Sequence, residues 1–158
     1  MHETAAQFGE RALDRYGFEV EVHEFPEGTK TAADAADAIG CDVAQIASSI
    51  VMLVDGELVV SVTSGANRVS EAKLASAVGA PRSEVGTASP GEIKETLGWT
   101  IGGVPPFCHD TEVTVVMDET LLEHETVWAA AGTPDAVFPV APERLRELSG
   151  AEPVDVAE

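Results

Sequence analysis

The chain has 158 residues, 44% of them hydrophobic, and sets 28 Asp and Glu against 9 Lys and Arg for a formal net charge of −19. That length closes one core and is short for two, so a single domain over residues 1–158 is expected. No apolar run approaches the roughly 20 residues of a membrane-spanning helix, no signal-peptide pattern opens the chain, and Cys41 and Cys108 form neither a C-x-x-C pair nor a spaced framework. These features predict a cytoplasmic protein with free thiols and exclude a membrane partner.

Capping signals divide the chain from the start. Thr4 with Gln7 reads as a capping box for a helix near 4–16, stopped by Gly17, and a strand near 18–24 follows. Thr31 is a good N-cap for a helix near 31–39 ending at Gly40. Strands at 50–54 and 57–63 flank Asp55-Gly56, the pair that a two-residue hairpin turn favours. Ser70 opens a helix near 70–78, and Ser89 with Glu92 and Pro90 opens one near 89–97, closed by Gly79 and Gly98. Strands near 112–117, 126–131 and 136–140 come next, then a helix near 142–149 with Pro142 in its first turn, and a short strand near 153–156. Interleaved helices and strands with one antiparallel hairpin exclude a purely parallel doubly wound sheet. The expected fold is α/β, a mixed and largely antiparallel sheet with flanking helices.

The acidic residues are scattered rather than gathered in a tail, and the lysines are only Lys30, Lys73 and Lys94. Even scatter points to a solvation property of the whole surface, as in proteins of salt-loving organisms. Phosphate binding draws on basic patches, so the charge counts against nucleic acid and DNA is not expected as a partner. In molar salt the Debye length falls to about 3 Å, and local contacts then decide whether RNA can approach.

Several chemistries find no support. His2, His23, His109 and His124 lie far apart and form no metal-binding spacing, and phosphate-loop and dinucleotide fingerprints are absent, so neither metal nor organic cofactor is expected. Ser48-Ser49 lacks a nucleophile elbow, and Cys108 beside His109 is a poor thiolate pair because sequence neighbours rarely face each other. The run from Gly98 to His109 is different. Its glycines and prolines fix backbone shape, and amides left free around Gly102 and Gly103 would suit a developing oxyanion. Gly65 to Val69 and Gly132-Thr133-Pro134 are further small-residue loops after strands, and three such loops predict one pocket.

With these three segments the chain resembles the YbaK/prolyl-tRNA-synthetase-associated editing domain family from about Thr4 to Val156, Gly102-Gly103-Val104-Pro105-Pro106 and Ala130-Ala131-Gly132-Thr133-Pro134 being the specific matches. The resemblance implies that family's fold and a trans-acting deacylase, which hydrolyses the ester of a mischarged tRNA without cofactor. Mischarged tRNA is the implied partner, tRNAPro the first candidate, and an aminoacyl-tRNA synthetase a second partner. It also implies main-chain contacts from the Gly102 to Pro106 element, and places Thr31, Asn67, Asp118 and Gly132 at familiar positions. Two residues depart from the pattern: Ser48 stands where many members carry a lysine important for deacylation, and Phe25 where some carry tyrosine. The expected roles are Gly102 and Gly103 for the oxyanion and Ser48 and Asp118 for orienting substrate or water. Phe25, Thr31, Asn67, Pro105, His109, Gly132 and Thr133 would surround the adenosine and amino acid, with Lys30 or Arg68 as neighbouring cations. The rival expectation is a non-catalytic binding module that lost its chemistry with the lysine, and a protein-interaction adaptor ranks behind both.

Overall fold

The computed structural model describes residues 3–25 and 31–158, so Lys30 lies outside the described residues. The chain runs α1 (Glu3–Tyr16), β1 (His23–Glu24), α2 (Ala32–Ile39), β2 (Ile46–Val54), β3 (Glu57–Ser64), α3 (Glu71–Val78), β4 (Val85–Thr87), α4 (Pro90–Leu97), β5 (Thr114–Asp118), β6 (Val127–Ala130), β7 (Ala136–Val140), α5 (Pro142–Ser149) and β8 (Glu152–Val154). Side chains fix the helix starts as expected: Thr31 caps Asp34, Ser70 caps Lys73, and Ser89 and Glu92 form a reciprocal box. Thr4 is an exception, since the helix is already under way at Glu3. None of the described helices is long and apolar enough to cross a membrane.

The strands join in the order β1-β7-β6-β2-β3-β5-β8, with β4 added on β2. Four pairings are antiparallel and three parallel. The β2–β3 hairpin turns at Asp55 and Gly56, both at positive φ (+51° and +80°), as the primed turn matched to strand twist requires.

Alternation along the strands sends residues to two unlike faces. On one, Ala47, Val60, Val62, Met117, Ala129 and Phe138 meet α1, α4, α5 and the 99–109 loop in a dry core. Phe8 anchors it, its ring 5.2 Å from Phe138, 5.4 Å from Phe107 and 6.0 Å from Trp99. On the other face two smaller clusters sit apart. Ala35 and Ala36 of α2 cover Ile46 and Trp128, while Leu74 of α3 covers Met52, Val54, Val59 and Val116.

The expected strand at 18–24 shrinks to His23–Glu24. Phe18, Val20 and Val22 alternate as a strand would but serve as a strap packed on the dry core. β2 begins four residues earlier than expected, and β4, with a glycine at its centre, was not foreseen.

Candidate functional site

β2 is a central strand with a gap beside it. On the edge away from β3 it pairs with β6 along Ile46–Ala47 and with β4 along Met52–Val54, and among the described residues no strand adjoins residues 48–51. The α2 and α3 clusters leave the same stretch uncovered, so Ser48 is half-buried and Ile50 is 39% exposed. An uncovered stretch on a central strand, with an aliphatic residue open beside a half-buried serine, is a concave place where a ligand can lie. Ser48 faces Thr63 across the hairpin, and Thr63 and Ser61, both buried, share a 3.0 Å hydroxyl contact beneath it.

One end of the notch is walled by two interlocked loops. β6 ends at Ala130, and the following turn places Gly132 at φ +98° against the Trp99 ring. Gly103 lies so close that a Cβ there would come within 2.7 Å of the Thr133 backbone. Next to it Gly102 is exposed at φ +88°, a conformation that L side chains rarely adopt. The Gly103 N–H donates to Thr100 O at 2.9 Å, closing the turn, so the expected free amide at Gly103 is not there. The Gly102 N–H has no hydrogen-bond partner among the described residues. Thr133 is 8% exposed, and its buried Oγ1 has no hydrogen-bond partner among the described residues. Phe25, half-buried, joins this corner through its N–H, which donates to Asp135 O at 2.8 Å. His23 stands edge-on to Trp128 beside it.

Other expected residues are occupied elsewhere. Asp118 is 1% exposed, and its carboxylate accepts from Ser64 N, Asn67 Nδ2 and Thr120 N, which makes it a hub for the ends of β3 and β5 and leaves it no view of solvent. Asn67 Nδ2 is shared between Asp118 and Thr120 Oγ1. The Thr31 hydroxyl caps α2. His109 Nε2 lies 2.8 Å from Pro105 O, so the ring donates there and both residues are buried within the loop. Burial, chiefly, holds the His109 pKa below its ordinary value. His109 and Cys108 line a separate groove of about 880 Å³ with Arg15, Thr114 and Glu147. Burial, only partly offset by Arg15 and Arg11, pushes the Cys108 thiol up to about 11, far from a thiolate at neutral pH. No metal-binding cluster occurs among the described residues.

Contacts thus bring Phe25, Gly103, Gly132 and Thr133 to one corner at the end of β6, and Ser48 lies on β2 just past its pairing with that strand, while His109 lines another groove and the Asp118 carboxylate is enclosed by its donors. Ile50 belongs to the notch and was missed. The run of apolar residues after Ser49 reads as wholly buried, and only tertiary packing shows where the two helices stop covering it.

Residues 26–148 match the model of the aminoacyl-tRNA editing domain. YwhH of Bacillus subtilis (strain 168), an uncharacterized protein, is 32% identical over 134 residues, covering 83% of this chain and 82% of its own length. The proline–tRNA ligase of Lactobacillus helveticus (strain DPC 4571) is 29% identical over 128 residues, 77% of this chain but only 22% of the ligase. Among solved structures, a candidate trans-editing enzyme for prolyl tRNA synthetase superposes with a TM-score of 0.91 at 38% identity, covering 100% of this chain and 99% of that one. The hypothetical protein APE2540 superposes with a TM-score of 0.84 at 27% identity over 96% of this chain and 99% of its own.

Proposed function

As this chain belongs to the aminoacyl-tRNA editing domain family, we propose that the notch over β2 is the active site of a trans-acting deacylase that hydrolyses the ester of a mischarged tRNA. The observation that carries this reading is the uncovered stretch at Ser48 and Ile50, walled by the Gly102–Gly103 turn locked onto Thr133. The aminoacyl group lies on that stretch, with the adenosine toward Phe25. Among the described residues no thiolate or charged nucleophile is placed at the site. The attacking oxygen is therefore a confined water or the ribose hydroxyl next to the ester, an arrangement in which positioning does most of the work. The Gly102 N–H and the Thr133 hydroxyl have no hydrogen-bond partner among the described residues, and both are assigned to the carbonyl oxygen as it gains charge. Thr133 Oγ1 is sealed in the free protein, so its use requires the exposed turn at 101–102 to shift when substrate enters.

A second reading has its own observation. Ser48 brings no charge to the notch, which is what a binding module without turnover would show. Single-turnover hydrolysis of tRNAPro charged with Ala, Cys or Ser separates the two. The deacylase reading expects loss of at least one ester well above the buffer rate, reduced in Thr133→Val. Binding of the charged tRNA with no ester loss above buffer would replace it with the binding module, and neither binding nor hydrolysis would remove both.

A further inference from the structure

Backbone groups alternate in direction along β2. Even-numbered residues turn theirs toward β3, as Ile46 O does in accepting from Gly65 N, and odd-numbered ones turn theirs to the opposite edge, as Asp55 N does in donating to Glu84 O. Ser49 N–H and C=O therefore point into the break between β6 and β4. The β6 register ends at Ala47 and the β4 register begins at Met52, and no loop backbone bonds to Ser49 among the described residues. The Ser49 hydroxyl is also unmet, its Oγ buried with no hydrogen-bond partner among the described residues. One residue in the middle of the uncovered stretch thus has its N–H, its C=O and its side chain all unpartnered.

The direction of that side chain ties it to the loop corner. β2 and β6 run parallel with Ala47 opposite Ala129, both in the core that Phe8 organises, and continuing this register puts Ser49 level with Ala131 on the same face. Ala131 is 0% exposed, and the residues after it are Gly132, against the Trp99 ring, and Thr133, against Gly103. The Ser49 hydroxyl therefore lies on the side of the sheet that carries the Gly103–Thr133 corner. Thr133 Oγ1, at that corner, is the other buried hydroxyl without a partner among the described residues. Burying a hydroxyl unpaired costs stability, and two of them beside one break in a sheet are accounted for by a ligand that pairs with them.

From this placement we infer that Ser49 holds the α-ammonium group of the aminoacyl ester, which donates to Ser49 O and Ser49 Oγ while the ester carbonyl is held at the Gly102–Thr133 end. The inference deepens the deacylase reading of the notch and rests on it. A residue of a neighbouring strand would satisfy Ser49 with its own N–H and C=O, and an aminoacyl group carries that pair, an α-nitrogen and a carbonyl, within one residue. A carbonyl only accepts, so the group opposite Ser49 O must donate, and an ammonium has three N–H bonds to offer two nearby oxygens. Its charge strengthens both bonds. The site then selects α-amino acids over acids of the same shape that lack the nitrogen.

The test compares wild type and Ser49→Ala at about pH 6, where an α-amino group is protonated, on two substrates. One is tRNAPro charged with the amino acid that wild type removes, and the other is the same tRNA carrying the acid without its α-nitrogen, propionyl in place of alanyl. The readout is the ratio of kcat/KM for the two esters, each corrected for its buffer rate. Ser49→Ala should lower that ratio about tenfold through loss on the amino ester alone, the backbone oxygen keeping the rest of the preference. Its melting temperature should equal or exceed that of wild type, because the hydroxyl it removes has no protein partner to lose. An unchanged ratio overturns the inference, as does an equal loss on both esters. Should wild type remove none of Ala, Cys and Ser from tRNAPro, the deacylase reading falls. Binding of adenosine carrying alanyl or propionyl in a 3′-amide linkage then decides Ser49 by itself, and an equal affinity ratio in wild type and Ser49→Ala rejects it.

Discussion

Ala47 and Ser48 are neighbours on β2, yet they face different worlds. Ala47 is 1% exposed in the core that Phe8 organises, whereas Ser48 is half-buried on the side where two helices fail to meet. One sheet thus separates its duties by side-chain alternation. Its closed face supplies the burial that holds the fold, and its open face keeps a strip of central strand uncovered. Substitutions on the closed face should change stability and leave the activity of each folded molecule alone, and those in the notch should do the reverse.

The strongest way to break this division is Phe8→Ala. Phe8 is 0% exposed and packs on three aromatic rings, so its loss should cost about 3–5 kcal/mol. Chemical denaturation checks the cost. Hydrolysis per folded molecule should stay near wild type, and a matching fall in activity would mean that the two faces are not separable.

Gly103→Ala should come next, because it strikes where the notch is joined to the rest. The new methyl meets Thr133 backbone rather than a flexible side chain, so the two loops must part, at about 1–3 kcal/mol. Hydrolysis should fall by more than that loss of folded protein explains. Wild-type turnover in a folded Gly103→Ala would show that the loop contact serves packing alone. Ser48→Lys probes the opposite case. At a half-buried position on the open floor it should move stability by no more than about 0.5 kcal/mol, and raise turnover about tenfold through one charge-assisted hydrogen bond. A stability loss of core size with no gain in turnover would mean that the floor is closed.

Much of this was written in local chemistry. Caps and C-terminal glycines announced α2 to α5, and Asp55-Gly56 announced the hairpin, because each acts over a few residues whatever surrounds it. The three small-residue loops likewise pointed to Gly102, Gly103 and Thr133. The notch itself was not legible. It arises because β6 and β4 share one edge of β2 and leave residues 48–51 between them, a relation among segments about 80 and 30 residues apart in the chain. For the same reason Asp118 and His109 looked available: a carboxylate and an imidazole announce their chemistry in sequence, but the amides and carbonyls that occupy them are brought by folding.

The smallest expected effect concerns that imidazole and sharpens the comparison from the closed side. His109 is 8% exposed beneath the loop that joins the two faces, and burial is the main reason its proton affinity is reduced. Arg15 adds to the reduction, while the Pro105 carbonyl and Asp110 work against it. With the folded pKa below the ordinary value of about 6.5, the unfolded chain binds a proton that the folded one resists. The contribution of His109 is therefore complete above that value and declines as pH falls from it toward the folded pKa. His109→Gln, whose amide can still donate to Pro105 O, should flatten the fall in melting temperature between about pH 7 and 5. It should leave the pH profile of hydrolysis unchanged, since His109 lines a groove apart from the notch. A hydrolysis profile that shifts with this substitution, while the melting curve keeps its slope, would return His109 to the site and join the faces that the sheet otherwise holds apart.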